Sequence, residues 1–69
     1  MDTTDRHELM RQLFVLATER LEDAHTAAVA GQAPDRGPNA YEDHARTLVH
    51  HAEDAALFAR SVLAAAGRR

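Results

Sequence analysis

Apolar residues recur along this chain at steps of three and four, the period of an amphipathic helix, in two long blocks. Between the blocks lies Gly31-Gln32-Ala33-Pro34-Asp35-Arg36-Gly37-Pro38, which holds both prolines and two of the three glycines. That cluster predicts a loop. The flanks are rich in Ala, Leu, Arg and Glu and poor in β-branched residues, so each favours helix by propensity. The first helix is expected from about Thr4 to Ala30. Its N-cap is sought among Thr3, Thr4 and Asp5, the last with Glu8 at capping-box spacing, and Gly31 is expected to end it in the left-handed conformation. The second is expected from about Asn39 to Ala66. Asn39 is its expected N-cap, with Glu42 three residues on, Pro38 outside the helix and Gly67 closing it. Arg68 and Arg69 then fall near the negative end of the helix dipole. Equal helices of about 40 Å joined by a short loop predict an all-α antiparallel hairpin, one domain over residues 1–69.

The wheel also assigns faces. On the first helix Leu9, Leu13, Leu16, Ala17, Leu21, Ala24, Ala27 and Ala28 share one side, with Met10 and Phe14 at its edge. On the second, Tyr41, Ala45, Leu48, Ala52, Ala55, Ala56, Ala59, Leu63 and Ala66 do so, flanked by Val49 and Val62. Ala45, Ala52, Ala59 and Ala66 recur every seven residues, a spacing that predicts a close, coiled-coil-like contact. Replacing Ala52 or Ala59 with Leu is then expected to overpack the seam.

Two helices touch along one line only, and a seam built mostly of alanine cannot offset the entropy of ordering the chain. Large apolar groups also lie off the stripe. Phe14 and Val15 extend beyond it, and Val29 lies nearly opposite. Phe58 and Leu57 sit about 100° and about 160° from the centre of the second stripe. Such groups predict a contact surface, most simply closed by a homodimeric four-helix bundle. Phe14, Leu48, Ala55, Phe58 and Val62 are the expected oligomer interface.

Composition narrows the chemistry. With 8 basic and 11 acidic residues the net charge is −3, which argues against nucleic acid as a partner. The absence of cysteine excludes disulfides, thiolate zinc sites, iron–sulfur clusters and thiol nucleophiles. No apolar run reaches the length of a membrane span, and the acidic start Met1-Asp2-Thr3-Thr4-Asp5 does not read as a signal peptide. The expected compartment is the cytoplasm. All eight basic residues are arginine, which suits ion pairs such as Glu42 with Arg46. Arg20 falls within the apolar stripe, where it snorkels, meets a carboxylate across the hairpin or marks an interface edge. Tyr41, the only tyrosine, is expected in the core with its hydroxyl at the rim.

Five histidines among 69 residues raise a metal reading. Glu22-Asp23-Ala24-His25 is a Glu-x-x-His motif, and a dimer would supply two copies, with Glu42 and Glu53 available on the second helix. Glu22 and His25, however, lie off the stripe, which reads as a solvated acidic face. His44 and His51 are seven apart with Phe58 a further seven along, an edge row expected to form a second interface that weakens as imidazoles charge. Its metal alternative is a shared ion held with a symmetry mate. The candidate ligands are therefore Glu22, His25, His44 and His51, with iron or zinc as the alternative cofactor. His50 points away from the core beside Glu53 and Asp54.

His7-Glu8-Leu9 resembles the His-Glu-Leu start of the dimerisation and phosphoacceptor hairpin of sensor histidine kinases. That resemblance implies a dimeric four-helix bundle and a phosphotransfer role for His7. It covers three residues, and Met10-Arg11-Gln12 stands where Arg-Thr-Pro usually follows, which puts the role in doubt. No phosphate-binding glycine loop or serine-nucleophile motif is present. The sequence thus predicts a self-associating, non-catalytic helical module for interaction or scaffolding. Its alternatives are a metal-binding bundle and an adaptor hairpin that docks on a larger partner.

Overall fold

The computed structural model describes residues 2–34 and 37–67. Two helices, α1 (Thr3–Ala30) and α2 (Pro38–Ala65), pack against each other, and no strand occurs among the described residues. The caps differ from those expected. Asp2, not Thr3, Thr4 or Asp5, caps α1, its Oδ1 accepting from the Asp5 amide at 2.9 Å. Gly37 caps α2 without a side-chain bond, and Pro38 begins the helix itself. The missing proline N–H falls where a helix has no acceptor to offer, so Pro38 costs α2 nothing there. Gly31 stays right-handed (φ −68°), whereas Gly67 adopts the left-handed conformation (φ 77°) that ends α2. The Arg68 and Arg69 expectation lies outside the described residues.

In a molecule of two helices, burial is deepest where the helices face each other. Along α1 and its cap the covered positions include Met10, Leu13, Ala17, Arg20, Ala24, Ala27 and Gly31, in alternating steps of three and four, with Ala28 and Ala30 also half-buried. On α2 they include His44, Leu48, His51, Ala55, Phe58, Val62 and Ala65, in the complementary rhythm, with Ala40, Asp54, Ala56 and Ser61 also half-buried. These are heptad rows, the spacing of knobs-into-holes packing. Gly31 lies against the His44 side chain, where a Cβ on the glycine would sit 3.6 Å from the His44 Cβ. Both helices rise equally per residue. From that fixed point the antiparallel register brings Ala27 level with Leu48, Ala24 with His51, Arg20 with Ala55, and Ala17 with Phe58. Each of these layers sets a small residue against a large one, which is how the seam fills without clash.

The α2 seam therefore lies one residue before the expected alanine row. Ala45, Ala52, Ala59 and Ala66 are exposed, so the close contact expected of them does not form between the helices of one chain. The row of His44, His51 and Phe58 is the inner face instead.

Candidate interaction surface

The hairpin has two unlike faces. On one, Ala28 of α1 and Gly31 at its end form a groove with Tyr41, Ala45 and Leu48 of α2. On the other, Asp23 and Thr26 stand with Thr47 and His51. Heptad spacing extends the first face along the molecule. Phe14 and Leu21 precede Ala28 by steps of seven, and each is 57% exposed. On α2 every position from Ala45 in steps of four and three is apolar: Ala45, Val49, Ala52, Ala56, Ala59, Leu63 and Ala66. All but Ala56 are exposed, Leu63 at 54%. This row sits about 100° around α2 from the seam, the angle at which a bundle helix meets its second neighbour.

The chain matches no known family model, no curated protein and no solved structure. Its chemistry is that of this surface and of the polar residues around it.

Of the expected interface residues, only Phe14 is on the open face. Leu48, Ala55, Phe58 and Val62 face α1 within the chain, with Ala55 just 7% exposed. The expected ligands are not brought together. Glu22 and His25 are exposed on α1, while His44 and His51 are half-buried in the seam. Among the described residues, no three histidine, aspartate or glutamate side chains cluster as a metal site requires. His51 shares the polar groove with Asp23 and Thr26, and its Nδ1 is buried with no hydrogen-bond partner among the described residues. His50 is exposed, its Nε2 3.7 Å from an Asp54 carboxylate oxygen. His7 is exposed on α1.

The charged groups pair along their own helices. Glu8 accepts two bonds from Arg11 and one from the Gln12 amide, at 2.7–3.1 Å. The Arg11 guanidinium, followed by that amide, holds the Glu8 carboxyl down at about 2. Glu42 and Arg46 form the ion pair their spacing predicts. Arg20 reaches Asp23 on its own helix, 3.6 Å away, so its charge leaves the seam toward the polar groove. Tyr41 is more exposed than expected, and its hydroxyl donates to the Ala33 carbonyl at 3.4 Å, tying the loop to α2.

No helix among the described residues is long and apolar enough to cross a membrane. Leu21, Ala56 and Leu63 belong to the outward face, although a helical wheel places all three in the intramolecular stripe. The signal that separates Ala56 and Leu63 is a pair of heptad rows on α2, one residue apart.

Proposed function

We propose that this chain is a self-associating structural module with no catalytic role of its own, two hairpins joining through their apolar faces into a four-helix bundle. The observation that carries this reading is the surface left open. The chain exposes 5277 Å², whereas a folded monomer of its 7.6 kDa exposes roughly 4,300 Å². The excess is close to the roughly 800 Å² per partner of a standard specific interface.

Shape supports the same reading. The Cα envelope measures 54 × 19 × 11 Å, a single layer of helices. Its radius of gyration is 15.8 Å, against about 11 Å for a compact domain of this length. Stable domains stack at least two layers over a common core. Here the fully covered side chains are Ala24, Ala27 and Ala55, which carry little apolar area. A second hairpin supplies the second layer.

Size-exclusion chromatography with light scattering tests this proposal. A helical species of about 15 kDa, twice the chain mass of 7.6 kDa, is expected at micromolar concentration. A folded, fully helical species of 7.6 kDa would overturn it. A chain unfolded alone and helical only with another protein would favour the adaptor reading instead.

A further inference from the structure

The open face is lopsided in size. Its α1 half carries Phe14 and Leu21 beside Ala28, whereas its α2 half is mostly alanine, at Ala45, Ala52, Ala56, Ala59 and Ala66, with Val49 and Leu63 between them. Two hairpins can meet face to face in two symmetric ways. A two-fold axis across the helices stacks α1 on the partner's α1 and α2 on the partner's α2. Large residues then meet large ones on one side while alanines meet alanines on the other. The first pair is held apart and the second is drawn close, so one flat interface cannot satisfy both. A two-fold axis along the helices instead sets each α1 on the partner's α2, and the large α1 groups meet a row that is mostly alanine in both seams.

We infer that the dimer takes this second form, with Leu21 of each copy seated between Ala52 and Ala56 of the other copy's α2 and Phe14 between Ala59 and Leu63. The inference rests on the proposed dimer and names the partner surface and its register. An axis parallel to the helices preserves height along them, so the internal register fixes the external one. Gly31 against His44 places Leu21 level with Asp54, midway between Ala52 and Ala56 of the other copy. By the same count Phe14 falls midway between Ala59 and Leu63, and Ala28 midway between Ala45 and Val49. Every residue of this α1 row therefore meets the centre of a hole, with no adjustable shift. Neighbouring helices all run antiparallel, so their dipoles also oppose.

The same two-fold carries a prediction about what stays uncovered. Leu57 is 56% exposed at the rim of the concavity that it lines with Val49, Ala52 and Ala56, about 100° around α2 from Ala56, and the two-fold leaves it outside both seams.

Cysteine pairing tests the arrangement, because the natural chain contains no cysteine. Leu21→Cys and Ala52→Cys are made separately, mixed in denaturant, refolded together and oxidised with oxidised glutathione. The mixture is expected to give a disulfide-linked Leu21→Cys/Ala52→Cys heterodimer, while neither variant alone gives linked dimer. Linked dimer from Ala52→Cys alone, or from Leu21→Cys alone, would overturn the inference in favour of like-on-like stacking. Dimers by light scattering with no cross-link in any sample would also overturn it. Cysteine-free protein that is monomeric by light scattering would defeat the proposed dimer itself, a failure distinct from the other two. Repeating the experiment with Ala56→Cys in place of Ala52→Cys guards against one variant failing to fold and carries the same expectation.

Discussion

At the scale of single residues, the best-defined electrostatic group is Glu8 with Arg11 and Gln12 in the early turns of α1. Two arginine bonds and one amide bond favour the ionised carboxyl, which lowers it from 4.5 to about 2. The sign follows from linkage. A carboxyl depressed in the folded state contributes stability that is complete above about 4.5 and is lost as pH falls through about 2. Because the group is exposed, that contribution is small and screened by salt. Carboxyl carbon shifts followed by NMR should show Glu8 titrating near 2, and Arg11→Ala should return it toward 4.5. A Glu8 midpoint unchanged by Arg11→Ala would contradict the ion pair. Residue-level chemistry is legible in part. The Glu42–Arg46 pair and the helix-ending Gly67 follow from spacing and residue type. The Asp2 cap does not, because three later residues with equal capping ability compete for the same turn.

At the scale of elements, the two helices and their loop follow directly from the proline–glycine cluster and the apolar period on either side. The facing of α2 does not. Its apolar residues form two heptads one position apart, and a wheel averages them into a single broad stripe centred on the wrong row. Packing decides between them. Leu48 and Phe58 fit the small α1 positions Ala27 and Ala17, whereas the alanine row would leave that seam hollow. The seam's edge also tolerates His51 and Arg20, whose polar ends reach the groove beside Asp23. The assigned seam predicts opposite outcomes at two alanines. Ala55→Leu adds bulk to a position only 7% exposed and is expected to destabilise the fold by about 1–3 kcal/mol in urea melts. Ala64→Leu, on an exposed position outside both heptads, should change stability by no more than about 0.5 kcal/mol. Equal effects at the two sites would contradict the seam.

At the scale of the whole molecule, the proposed function makes the hairpin half of a bundle. Steps of seven extend the first face from Ala28 to Leu21 and Phe14, beside Leu63 and the alanine row of α2, and the second from Asp23 to Leu16 and Leu9, each 40% exposed. The proposal of a second layer starts from length and composition alone. Which residues form it is not legible there, because Leu48, Ala55, Phe58 and Val62 read as an oligomer surface, yet α1 covers them. Leu63→Glu should therefore dissociate the assembly by placing a charge in the proposed interface, whereas Leu57→Glu on the outer side should leave it intact. Sedimentation velocity on the two variants separates these outcomes, and dissociation by Leu57→Glu alone would place the interface on the opposite side of α2.

Self-association leaves its clearest mark on thermal stability, because a fold completed by a second copy gains stability with concentration. Circular dichroism melts over a hundredfold range of protein concentration measure this most directly. The midpoint is expected to climb steadily with concentration, with helix content falling in the most dilute samples. A midpoint and helix content unchanged across the range, together with a 7.6 kDa mass, would show that the hairpin stands alone.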